Sequence, residues 1–205
     1  MLSVSAIAQT TVTYTFSGAN ASEVTAGTID ANLSFVAGKG NSAQFPTFYS
    51  AAPAAVRIYS DRATGDGNSF TITATEGFEI TGLTFTATAA ANAPAVTYSA
   101  DGAAFAAMPK TGETYTGTGL TATALTFKNA HTGGSSNTQL RIASFTVTYA
   151  PKVLAVGNVN ATKANLVKNT VVSNNILFAA KSDVQVINAN GQVVKTASVN
   201  ENTSL

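Results

Sequence analysis

The chain has no cysteine and no tryptophan, a single histidine, and charged side chains at only 10% of its 205 positions. Without cysteine there are no disulfides, no thiolate zinc site and no Cys nucleophile. This leaves the compartment open, because a chain of this size can draw its stability from core burial alone. Without tryptophan, the largest flat platform for a sugar ring is missing. The formal net charge of +1 gives no electrostatic case for nucleic acid or for an anionic membrane surface. No apolar run approaches the ~20 residues of a membrane-spanning helix. Sustained 3.6-residue periodicity is absent as well, which leaves strands to carry the fold.

What is present is apolar and β-branched. Hydrophobic residues make up 45% of the chain, and Thr with Ala supplies about a third of it, far from average usage. Threonine suits the watered face of a strand, so the composition is all-β. Alternation of apolar and polar residues predicts strands over 11–16, 29–35, 55–60, 69–75, 79–88, 121–128 and 140–149. Turn residues separate them: Gly38-Lys-Gly-Asn41, Gly65-Asp-Gly-Asn68, Glu76-Gly77, Ala100-Asp-Gly102 and Gly133-Gly-Ser-Ser-Asn137. In the last strand Leu140, Ile142, Phe145, Val147 and Tyr149 point inward in two phases, so a bulge is expected at Ala143-Ser144. Many short strands at this spacing predict a jelly-roll-like β-sandwich.

Residues 9–151 hold this sandwich. Pro151, which cannot donate to a ladder, ends its last strand, and residues 152–163 read as a linker. A second, smaller set of strands is expected over 164–167, 171–178, 184–188 and 192–196. Its clearest element is a hairpin in which Val184, Val186 and Val193 flank Asn190-Gly191, the pair suited to a turn with φ > 0 at both central positions. Charge follows the division, at about −2 over residues 9–150 and about +3 over 151–205. At the other end, Ala6-Ile7-Ala8 before Gln9 is the small-x-small pattern that precedes signal-peptidase cleavage. Residues 1–8 thus read as the remnant of a leader, cleaved near Ala8/Gln9, and the protein is expected to be secreted or on the outer cell surface.

Candidate chemistry is sparse. His131 stands alone in a Gly-rich loop, with no Gly-x-Ser-x-Gly elbow for a triad and too few partners for a metal. Glu76, Glu79 and Glu113 are the carboxylates from which a glycosidase pair would be drawn, but Glu76 and Glu79 more simply mark a hairpin end. No catalytic residue and no organic cofactor is expected. Asp61 and Asp66, in a loop rich in oxygen donors, are the candidates for a structural calcium ion, against the reading of a plain turn. Tyr14, Phe16, Phe85, Phe127, Phe145 and Tyr149 occupy core positions. Tyr49, Tyr59, Tyr98 and Tyr115 fall at strand ends or in loops, and are the candidates for contact with a ligand. The glycine-rich pairs at 38–40 and 117–119 lack the strand-to-helix context of a phosphate loop.

Two resemblances add to this. Val56-Arg-Ile-Tyr59, Ser69-Phe-Thr-Ile-Thr73, Glu76-Gly77, Ile80-Thr-Gly-Leu-Thr-Phe85 and Gln139 to Tyr149 together resemble a β-sandwich module of secreted Bacteroidetes proteins, which brings no enzymatic signature. Ala164-Asn-Leu-Val-Lys-Asn-Thr-Val-Val-Ser-Asn-Asn-Ile-Leu-Phe178 and the 184–195 hairpin resemble the C-terminal sorting domain of type IX secretion cargo in that phylum. The resemblance implies a small Ig-like β-sandwich and, as partner, the type IX machinery. In the family a further strand and a basic end follow, and this chain reaches Leu205 before them. An incomplete sorting domain over 164–205, with an open hairpin edge, is therefore expected. The expected function is non-enzymatic surface binding or adhesion, with a polysaccharide or surface glycan as ligand. The alternatives are a ligand-free spacer and a fragment of a degradative enzyme.

Overall fold

The computed structural model describes residues 8–134, 138–152, 176–201 and 205. The chain packs as two compact units, Met1–Val153 and Leu154–Leu205. The first unit opens with β1 (Thr10–Thr15), β2 (Ala26–Thr28), β3 (Leu33–Gly38), β4 (Thr47–Tyr49), β5 (Ala55–Ile58), β6 (Ser69–Ala74) and β7 (Phe78–Ala87). It continues with β8 (Val96–Ala100), β9 (Ala106–Ala107), β10 (Lys110–Thr111), β11 (Thr114–Ala122), β12 (Ala124–Asn129) and β13 (Leu140–Pro151).

These strands form two antiparallel sheets. The larger runs β10-β11-β7-β13-β5-β4, with β1 also paired to β13, and the smaller runs β2-β3-β6-β12-β8-β9. Numbered one to eight along the chain, strands β5, β6, β7, β8, β9, β11, β12 and β13 lie as 1-8-3-6 in one sheet and 2-7-4-5 in the other. That is the jelly-roll order. The expected jelly-roll-like sandwich is the observed fold, with β1 to β4 added at its edges.

The core follows from period-two alternation on both inner faces. Phe35, Phe70 and Phe127 come from the smaller sheet and Phe85 and Phe145 from the larger, each no more than 2% exposed. Phe70 lies directly opposite Phe127, and Phe85 opposite Phe145. Ring centroids stand 4.8 Å apart for Phe85–Phe127 and 5.3 Å for Phe35–Phe70, within the range at which tilted and edge-on aromatic pairs attract. The bulge expected at Ala143-Ser144 is present: the β13–β7 register slips by one residue between Ile142 and Phe145. On the other edge of β13 the Ala143 carbonyl accepts the amide of Phe16 at 3.0 Å, which continues the register of β1.

Two predicted strands are corrected. Residues 29–35 do not run straight, because Asp30 Oδ1 accepts the amides of Asn32 and Leu33, both at 2.8 Å, and turns the chain before β3. Residues 121–128 span a change of sheet, with β11 ending at Ala122 in the larger sheet and β12 starting at Ala124 in the smaller. The hinge, Thr123, is held by Asp101, whose Oδ1 accepts the amides of Thr123 and Ala124 and the Thr123 hydroxyl at 2.8–2.9 Å. The Ala124 amide is the main reason that the Asp101 carboxyl lies below the usual carboxylate range, with Thr123 adding to the effect. Asp101 itself sits at φ 48°, a conformation that Asp tolerates better than most side chains.

In the second unit β14 (Ser182–Ile187) and β15 (Val193–Val199) form the expected hairpin. Among the described residues they pair only with each other. The turn differs from expectation: Gly191 has φ 78°, whereas Asn190 is not in the positive-φ region. Asn188 is the reason. Its side-chain Oδ1 accepts the amides of Asn190 and Gln192, both at 3.0 Å, and its amide donates to the Gln192 carbonyl at 2.9 Å. A three-residue loop with one left-handed glycine results, in place of the two-residue turn. Residues 1–7, strands expected over 164–167 and most of 171–178, most of the linker and part of the 133–137 turn lie outside the described residues.

Candidate functional site

The four tyrosines expected at the surface divide two and two. Tyr115 is 1% exposed, which corrects its placement. It lies within β11, stacked on Phe85 with centroids 5.0 Å apart, and its hydroxyl donates to the Pro94 carbonyl. Burial pushes its pKa up to about 12. Gly117 and Gly119 follow it within the same strand. Tyr98 is corrected as well: it lies opposite Phe127 in the ladder and packs half-buried against the core.

Tyr49 and Tyr59 remain, both half-buried, and they come together on the outer side of the larger sheet. Alternation puts Val56 and Ile58 into the core, so Arg57 and Tyr59 take the other face. Thr47 pairs with Arg57, and its hydroxyl meets the Tyr59 hydroxyl at 2.6 Å. Across the next ladder Arg57 lies directly opposite Arg141. Both guanidinium carbons sit over the Tyr49 ring, at 5.1 and 5.2 Å from its centroid.

Two like charges placed directly opposite on neighbouring strands repel. The Tyr49 ring offsets this by about 0.5–1 kcal/mol per cation where solvent reaches it. Carboxylates do not: the Lys128–Asp66 pair is the ion pair found among the described residues. Glu23 stands in the same cross-strand row, but beyond Thr47, so two strand spacings, about 10 Å, separate its backbone from that of Arg57. Arg141 Nε donates to Gln139 Oε1 at 2.9 Å. Arg57 Nε is buried and has no hydrogen-bond partner among the described residues, a state that costs about 1–3 kcal/mol for an ordinary donor.

The Asp61–Asp66 loop holds itself together. Asp61 accepts the amides of Ala63 and Thr64 at 3.2 Å and the Thr64 hydroxyl, and that hydroxyl is the main reason its carboxyl lies below the usual range. Asp66 pairs with Lys128 Nζ at 2.9 Å. Both carboxylates thus have protein partners, and no group of three or more His, Asp or Glu side chains gathers among the described residues. His131 is tied by its amide to Asn129 Oδ1 at 3.1 Å. Glu79 lies near the start of β7, whereas the Glu113 carbonyl receives the amide of Ala87 at its end. Eight residues of strand put roughly 26 Å between those positions, far beyond the separation of a glycosidase pair.

Sequence reasoning missed Arg57 and Arg141. A signal was present in their outward phase within strongly apolar strands, but that they face each other is a matter of strand order. No protein-family model matches the chain, and no curated protein matches it.

Proposed function

We propose that the first unit is a secreted or cell-surface binding module without enzymatic activity, and that it takes a glycan at the Tyr49–Arg57–Arg141 patch. The observation that carries this reading is the convergence of Tyr49, Tyr59, two guanidiniums and Gln139 on one outer face. A face of that kind offers hydroxyl, amide and aromatic groups to a polyhydroxylated ligand. Retention on immobilised polysaccharides, with the Tyr49→Ala variant beside the wild-type chain, tests it. Wild type is expected to be retained, and the variant to bind about two- to thirtyfold more weakly, as an aromatic-face contact is worth about 0.5–2 kcal/mol from exposed to desolvated sites. No retention on any polysaccharide would discard the glycan.

A ligand-free spacer is the second reading, favoured by the remaining outer surface. Cross-strand threonines there bond to each other, Thr13 to Thr146 at 2.8 Å and Thr86 to Thr114 at 2.9 Å, and so direct part of their hydrogen-bonding capacity to one another.

For the second unit we propose the role of an address for type IX export, which rests on the resemblance of 164–195 and agrees with the presence of the 184–195 hairpin. Deleting residues 164–205 in a host with that machinery is expected to leave the protein inside the outer membrane. Unchanged surface display of the deletion would remove the address from this segment.

A further inference from the structure

We propose that Arg57 and Arg141 form a single oxyanion-binding site, and that the ligand of this face carries a carboxylate or a sulfate. The sugar part of this statement rests on the glycan reading above; the anion part does not. Side chains at directly opposite positions of neighbouring strands leave Cβ atoms about 4.5–5.5 Å apart, so one oxyanion reaches both guanidiniums. A guanidinium presents a rigid fork of donors that matches a carboxylate or sulfate two bonds at a time.

Three features of the pair point to a ligand rather than to a solvated surface. The Arg57 side chain makes no hydrogen bond or ion pair with the described residues, and its Nε is buried. Arg141 spends one donor on Gln139 and keeps the rest. Tyr49 places its ring within 5.1 and 5.2 Å of the two guanidinium carbons, so one aromatic ring serves both cations. An anion between the two would relieve the like-charge repulsion that the sheet register imposes. Arg62, the remaining arginine of the chain, is different: its Nη1 donates to the Gly134 carbonyl at 3.0 Å in the loop region.

The test is an NMR titration of the arginine Nε–H signals in the full chain, with inorganic sulfate, glucuronate and, as a neutral control, glucose. Saturable shifts of the Arg57 and Arg141 signals at millimolar anion, with Arg62 and the glucose titration unchanged, are expected. The tighter of sulfate and glucuronate assigns the group on the sugar. Arg141→Gln is expected to weaken the anion about tenfold, and Arg141→Lys, which keeps the charge and loses the fork, by several-fold. Shifts that do not saturate, or that move Arg62 equally, would be general screening and would overturn the proposal. Polysaccharide retention that survives in Arg141→Gln and in Arg57→Gln overturns it too, while leaving the glycan module standing. Saturable anion binding without retention on any polysaccharide would keep the anion site and discard the sugar.

Discussion

Replacing Asn68 by alanine is expected to cost the sandwich at least about 3 kcal/mol, because three backbone groups lose their partner at once and each costs about 1–3 kcal/mol when left unmet. Asn68 is fully buried, and its side chain reaches three segments. Its Oδ1 accepts the Tyr59 amide at 2.9 Å, and its Nδ2 donates to the carbonyls of Lys39 at 2.8 Å and Gln44 at 2.9 Å. The neighbouring glycine leaves no room for the chain to retreat: a Cβ on Gly67 would stand 2.4 Å from the Asn129 carbonyl oxygen and 2.5 Å from that of Tyr59. Asn68→Asp separates shape from bonding, since it fits the same space but points an acceptor at two carbonyls. Urea denaturation is expected to show both variants far below wild type. Wild-type stability in Asn68→Asp would mean that the two donated bonds contribute nothing.

Phe145→Ala is expected to cost about 3–5 kcal/mol, the range for truncating a buried aromatic. The ring is 1% exposed and sits where the two sheets and β1 meet. Centroids of Tyr14, Phe16 and Phe35 lie 5.5, 5.6 and 5.9 Å from it, so the cavity would open among stiff rings that cannot fold into it. Val36→Ala, at a position 60% exposed, should change stability by less than about 0.5 kcal/mol, as surface positions do. If the two losses matched, the aromatic cluster would not be the core.

Strand identity was readable wherever alternation ran unbroken, and β13 was readable down to its bulge, because a one-residue slip in an apolar pattern has few other outcomes. Legibility failed where a single residue redirected the chain. Asp30 and Asp101 do so by binding backbone amides, a tertiary use of a carboxylate that leaves no mark on the period. β11 is absent from the predicted strands before Thr121, and Gly119, at φ 66°, accommodates its irregularity between Thr118 and Ala122. With that strand went Tyr115. The candidate site suffered differently: Tyr49 and Tyr59 were visible as single residues, but the pairing of Arg57 with Arg141 joins positions 84 apart and exists only through the register of β5 on β13.

That same strand sets when the molecule can be finished. β5 and β1 share one edge of β13, the first along Leu140–Ile142 and the second from Ser144 to Tyr149. Among the described residues, β1 therefore has no neighbour in the sheet until the last strand of the sandwich is made. Contacts that span so much chain form slowly, and a partial chain lacking β13 leaves the paired edges of β1, β5 and β7 exposed together. Closure of the larger sheet thus waits for residues up to Pro151, and the bond from Phe16 to the Ala143 carbonyl is among those that need them.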